Sequence, residues 1–107
     1  MTLDWKKFLV SPDESLEFAI QELDKGSRIL LVANSENELL GTVTDGDIRR
    51  ALIRKLGLKS SIAEIMNTNP IITKSPYSRE KVLKDMSKKG ILHMPIIDSD
   101  GKVSGIE

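Results

Sequence analysis

The stretch Leu39-Leu40-Gly41-Thr42-Val43-Thr44-Asp45-Gly46-Asp47-Ile48-Arg49-Arg50 decides the fold. Its first five residues are short, apolar and partly β-branched, Asp45-Gly46 is a turn pair, and Ile48, Ala51, Leu52 and Leu56 then recur at helical spacing. A strand therefore hands over to a helix at residues 44–47. Such a junction aims unpaired backbone N–H groups and the positive end of the helix dipole at one spot, where an anion such as phosphate can sit. Thr44 adds a hydroxyl, and Asp47 adds a carboxylate able to accept two hydrogen bonds from a sugar diol. The same spacing, Thr44-x-x-Asp47, is also a capping box that needs no ligand. Taken alone, the stretch fits either a nucleotide site or a helix cap.

Upstream, residues 1–7 are a polar lead-in whose Trp5 is expected to pack against the domain. Phe8-Leu9-Val10 reads as a strand. Ser11-Pro12-Asp13-Glu14 combines a capping serine, a first-turn proline and a glutamate, so a helix is expected there, with Leu16, Ala19, Ile20 and Leu23 on one face and Lys25-Gly26 ending it. Ile29 to Val32 is a continuous apolar run, as in a strand covered on both faces, and Asn34 to Glu38 is a polar turn leading back antiparallel along Leu39 to Val43.

Downstream, Arg49, Arg50, Arg54 and Lys55 form a basic helix face, which reads as a solvated surface because net charge is zero and no aromatics interleave. Arg49 and Arg50 stand close enough to the turn to help neutralise a phosphate. Ser61-x-x-Glu64 caps a short helical turn, Pro70 forces extension, and Ile71-Ile72-Thr73 reads as a strand. Ser75-Pro76 is expected to start a helix with Val82, Leu83 and Met86 inward, closed by Lys89-Gly90. Met94 to Ile97, the turn Asp98-Ser99-Asp100-Gly101, and Lys102 to Ile106 complete a second hairpin. Met66, Met86 and Met94 read as core and connector packing.

The chain has 107 residues, 16 basic and 16 acidic side chains, no cysteine and a single histidine, His93. That length suits one compact core. Zero net charge provides no field for nucleic acid or an anionic membrane, and the missing cysteines exclude disulfides, thiol catalysis and zinc–thiolate sites. One histidine cannot supply a multi-histidine metal site. No segment approaches the roughly 20 apolar residues of a membrane span, and no signal peptide is visible, so a soluble cytoplasmic protein is expected.

The second half repeats the first at an offset of 64 residues: Ser11-Pro12 falls on Ser75-Pro76, Lys25-Gly26 on Lys89-Gly90, Ser35 on Ser99 and Gly41 on Gly105. The helix phases slip by about one residue. Two β-α-β-β-α units packed about a pseudo-twofold axis follow from this, since neither is large enough to bury its own core, and the cleft between them is a natural ligand site.

These features, namely Gly41-x-x-Thr44-x-x-Asp47, the Ser-Pro pairs, Met66-Asn67-Thr68-Asn69-Pro70 and His93-Met94-Pro95-Ile96-Ile97-Asp98, together resemble a tandem pair of cystathionine-β-synthase (CBS) domains, a Bateman module. The resemblance covers nearly all of residues 8–107. With Asp4-Trp5 and the central stretch, the pair looks most like the one preceding the catalytic domain in some bacterial sugar-phosphate nucleotidyltransferases of the mannose-1-phosphate guanylyltransferase type. Sugar-phosphate isomerases and IMP dehydrogenase carry similar pairs.

The resemblance implies an α/β (α+β) fold with a first repeat at 1–58, a connector at 59–70 and an incomplete second repeat at 71–107. It also implies a regulatory module without chemistry of its own, binding AMP, ADP or ATP and acting on an attached C-terminal catalytic domain. Asp47 would then accept the ribose hydroxyls, while Thr44 and the backbone of Gly41, Asp45 and Gly46 hold phosphate with Arg49 and Arg50. Ile71, Ile72 and Thr73 would line the adenine slot, and His93 would lie near the phosphates, unless it is simply a packed strand-end histidine. Gly105-Ile106-Glu107 mirrors only Gly41-Thr42-Val43, so one complete site is expected, along with uncovered apolar sheet that a homodimer would bury.

Two rival functions are weighed. Asp45 and Asp47 could be imagined as a magnesium pair for phosphoryl transfer, but no third ligand or base accompanies them. A ligand-free dimerisation module, with Thr44 and Asp47 acting only as a cap, is the alternative that composition leaves standing.

Overall fold

The computed structural model describes residues 4–107; the first three residues of the lead-in lie outside the described residues. Two three-stranded sheets are each built in the same order. β1 (Leu9–Val10) runs parallel to β2 (Leu30–Ala33), which pairs antiparallel with β3 (Leu39–Val43). β4 (Thr73–Lys74), β5 (Pro95–Ile97) and β6 (Val103–Ile106) repeat that pattern. Helices α1 (Leu16–Asp24) and α2 (Asp45–Ile53) belong to the first unit, the short α3 (Ile62–Ile65) to the connector, and α4 (Arg79–Lys89) to the second.

The 64-residue offset extends to individual backbone pairs. Val32 lies opposite Gly41 as Ile96 lies opposite Gly105, and both hairpins carry a bulge at the next step, between Val32 and Ala33 and between Ile96 and Ile97. The two turns also meet each other. The Leu39 N–H donates to Gly101 O at 3.1 Å and the Val103 N–H donates to Asn37 O at 2.9 Å, two bonds exchanged by a twofold rotation. Beneath them Phe8, Ile29, Leu31, Val103 and Ile106 form a buried inter-repeat core, with Trp5 packed against its edge as expected.

Local starts and stops differ from expectation where another part of the chain competes. Helix α1 begins at Leu16 rather than at the Ser11-Pro12 pair, with Ser15 as cap accepting from the Phe18 N–H at 3.1 Å. Residues ahead of it are held by the connector: Ile62 and Ala63 donate to Glu14 O and Pro12 O, and Leu16 donates to Ser60 O. Likewise α4 starts after Ser78, because the Ser75 N–H and hydroxyl both point to Ile97 O of β5. Phe8 closes a 3-10 turn, Trp5–Phe8, instead of opening β1. Ile71 and Ile72 precede the two-residue β4 rather than belonging to it. Leu83, expected inside, is exposed, as is Leu52, because Ile48, Ala51, Val82 and Met86 define the inward stripes.

The apolar sheet expected to be uncovered in the second unit is buried. Every residue of β5 and β6 except Ser104 is inaccessible, since Val103 and Ile106 join the inter-repeat core and Val82, Met86 and Met94 form a small cluster beside them.

Candidate functional site

The same β3–α2 junction that the sequence singles out opens onto a cleft lined by both repeats. Thr44 is the N-cap of α2, and Asp47 accepts from its N–H at 2.9 Å and from its hydroxyl at 3.1 Å, both on Oδ2. The other oxygen, Oδ1, takes the Arg50 guanidinium at 2.6 Å. Asp47 is thus a buried, fully engaged carboxylate. Its neighbour Asp45 is exposed, with Gly46 beside it. In this first helical turn the Asp47 N–H already donates to Thr44 O at 3.0 Å, so the N–H groups of Asp45 and Gly46 are the ones a ligand could use.

A cavity of about 430 Å³ lies against that turn, within the size range of small-molecule sites. Thr42, Thr44, Asp45 and Gly46 form one wall. The connector contributes Asn67, Pro70 and Ile71, and the second unit contributes Ile91, Leu92, His93 and Pro95. Arg28 and Ile29 complete it, and they stand 64 residues before Leu92 and His93, so the cavity is lined by equivalent segments of both repeats. The lining is mostly apolar with a few convergent polar groups. His93 lies beside Phe8, the rings tilted by 49° with centroids 6.0 Å apart, and among the described residues its buried Nδ1 has no hydrogen-bond partner. A buried imidazole nitrogen without a partner forfeits about 1–3 kcal/mol, which a ligand atom reaching it would restore.

Thr44, Asp45, Gly46, Ile71 and His93 therefore come together in this cleft. The remaining sequence candidates do not line it. Asp47 and Arg50 face a second pocket with Arg54, Met66 and Asn67, because they are paired with each other. Arg49 points to solvent. Gly41 serves packing: its backbone is crossed by the connector, and a Cβ there would lie 2.6 Å from Asn67 O. Gly41 and Ile72 flank another, smaller pocket, of about 300 Å³, and Thr73 is committed to β4. Arg28, Ile29 and Leu92 were not singled out, yet applying the 64-residue offset to His93 points directly to Ile29 and its neighbour.

The two side chains with shifted pKa values do not line the cleft. Glu107 is buried, which opposes its ionisation, but hydrogen bonds from the Tyr77 hydroxyl and Arg79 outweigh this and hold its carboxyl below the ordinary value. Tyr77 is raised in turn by donating to that carboxylate. Among the described residues, no group of three or more His, Asp or Glu side chains is placed to hold a metal ion, and no helix is long and apolar enough to cross a membrane.

The CBS domain family model matches residues 5–54 and 62–106. The chain belongs to the CBS domain family. As a CBS module it is of a kind that is regulatory rather than catalytic. It is 33% identical over 100 residues to the arabinose 5-phosphate isomerase KdsD of Francisella tularensis, matching 92% of this chain and 30% of that protein. It is 29% identical over 100 residues to the inosine-5'-monophosphate dehydrogenase of Nitrosopumilus maritimus, matching 92% of this chain and 20% of the dehydrogenase. The chain thus spans less than a third of the length of either relative. Among solved structures, the CBS pair of protein MJ0100, in complex with 5'-methylthioadenosine and S-adenosyl-L-methionine, superposes with a TM-score of 0.76 at 29% identity, covering 94% of this chain and 79% of that one. The mixed α/β architecture of two small sheets and four helices is the one shared with that pair.

Proposed function

We propose that this module binds an adenosine-containing ligand in the cleft between its repeats and thereby modulates an attached enzyme. The observation that carries the reading is the cavity itself, where a helix N-terminus and a free carboxylate from one repeat face an apolar slot and an unpaired imidazole from the other. Ile71 and Pro95 offer apolar contact for a purine, Asp45 can accept from the ribose hydroxyls, and the first turn of α2 with Thr44 and Arg28 suits a phosphate. The 29%-identical MJ0100 pair holds two adenosine compounds, which supports adenosine as the recognised part. AMP, ADP and ATP are the natural candidates, in a cytoplasmic setting where they are plentiful.

The attached domain is proposed to handle a sugar phosphate, as the isomerase relative does by name. The narrower expectation of a nucleotidyltransferase gains no support from the relatives described above. Self-association is a compatible part of the reading, favoured by Leu52, Ile53 and Leu58, which expose apolar surface together at the end of α2 and just beyond it.

Calorimetric titration with AMP tests the binding. Wild type should bind saturably, and Asp45→Ala should weaken binding by about 10- to 150-fold, as expected for lost hydrogen bonds to a charged acceptor, without lowering the melting temperature. Asp47→Ala should instead lower the melting temperature. No saturable binding by the wild type would leave the association module as the better reading.

A further inference from the structure

We infer that the cleft selects an adenosine ligand carrying no more than one phosphate, and discriminates against di- and triphosphates; this rests on the adenosine reading of the same cleft. The chain has 16 lysines and arginines, yet among the described residues Arg28 is the only one of them that lines the cavity. Asp45 lines it too, so the fixed charges of the wall cancel, and the remaining positive potential is the roughly half charge of the α2 N-terminus. One phosphate against Arg28 and that helix turn is balanced. Each further phosphate would bring about one more negative charge with no cation to meet it, and would crowd the Asp45 carboxylate.

The nearest candidates to supply that cation are committed elsewhere. Arg50 is held at 2.6 Å by Asp47 and faces the second pocket together with Arg54. Drawing Arg50 into the cleft would leave the Asp47 carboxylate, 8% exposed, without its counter-charge. Arg49 extends into solvent from the helix side that does not line the cavity. A triphosphate would therefore extend its tail past the exposed Leu92 toward bulk water, where the described residues lining the cavity offer no second lysine or arginine.

The test is a parallel titration of adenosine, AMP, ADP and ATP in buffer free of divalent cations, with wild type and Leu92→Lys. Leu92 is 66% exposed, so a lysine there adds a cation at the rim without disturbing the core. Wild type should bind AMP at least about tenfold more tightly than ATP, a difference of about 1.4 kcal/mol, with ADP between. In Leu92→Lys that gap should narrow by about threefold or more, because the added charge meets the tail. ATP binding as tightly as AMP in wild type would overturn the inference while leaving the adenosine reading intact. An unchanged gap in Leu92→Lys would also overturn it, since charge would then not be the cause. If none of the four compounds binds, the adenosine reading itself fails.

Discussion

Gly41 and Gly105 hold the same place in their repeats, 64 residues apart and each opposite the central strand of its sheet, but their surroundings differ. A Cβ on Gly41 would strike the connector, 2.6 Å from Asn67 O and 3.0 Å from Met66 Sδ, whereas one on Gly105 would make ordinary contact with Ile96 at 3.6 Å. The connector pairs with β3 through Thr42 and Asn67, exchanging N–H···O bonds of 3.0 and 2.8 Å. Within these residues β6 has no such partner. The first repeat accordingly buries a core of eleven residues drawn from α1, α2, α3 and its sheet, while the separate core of the second is Val82, Met86 and Met94 with Tyr77 and Ile91 against them. The same strand order and register thus come with unequal cores in the described residues, because helices laid over a sheet decide how much of it is packed.

The largest test of that inequality is core truncation. Ile62→Ala, at a fully buried position of the first core, should cost about 3–5 kcal/mol in urea denaturation, and Met86→Ala in the smaller cluster about 2 kcal/mol, where solvent and loops can close over the gap. Equal losses would mean that the second core is as tight as the first.

The glycine pair sharpens the point. Gly41→Ala should destabilise by about 1–3 kcal/mol through overpacking against the connector backbone, and Gly105→Ala should stay within about 0.5 kcal/mol. A neutral Gly41→Ala would show that the connector yields, and the comparison would lose its cause.

Helix caps should behave alike in both repeats, which makes them the control. Ser15→Ala and Ser78→Ala should each cost about 1 kcal/mol, and Ser11→Ala, in the same residue type but outside the helix, should stay within about 0.5 kcal/mol. A loss at Ser11 equal to that at Ser15 would return the helix start to the Ser-Pro pair.

The smallest effect belongs to the second repeat alone. The Glu107 carboxyl lies below its ordinary 4.5 in the folded state, so its contribution is present above about pH 4.5 and disappears as pH falls through the lower folded value. Tyr77 is raised above 10.0, so its share persists below that pH and is lost as pH climbs through the raised value. Glu107→Gln should therefore flatten both the acid and the alkaline limbs of melting temperature against pH. Arg79 is about half exposed, so solvent screening keeps the effect modest. Identical pH profiles for wild type and Glu107→Gln would remove this cluster from the comparison.

Much of this was legible along the chain. The apolar run of β2, the bounds of β3, the turn at residues 34–38, the glycine stops after α1 and α4, and the 64-residue repeat all depend on residues adjacent in sequence, through periodicity, propensity and backbone freedom. Gly90, for instance, ends α4 in the left-handed conformation, φ 66°, that glycine adopts without steric cost. Helix starts were less legible, because Ser11 and Ser15 both offer a hydroxyl at a suitable spacing. The connector decides between them, since its backbone claims the groups of residues 12–16.

The site divides the same way. Local pattern suffices to mark the β3–α2 junction as a place where N–H groups converge, and the repeat places a cleft beside it. Of the two alternating aspartates, Asp47 is claimed locally, by Thr44 and Arg50 within one helical turn, whereas the cavity wall that Asp45 faces is assembled only in the tertiary structure. Arg28 and Leu92 likewise become neighbours of that turn only when the repeats close on each other. Short-range hydrogen bonding and side-chain period are properties of a segment, whereas a cavity wall is assembled from segments whose separation along the chain carries no record of their distance in space.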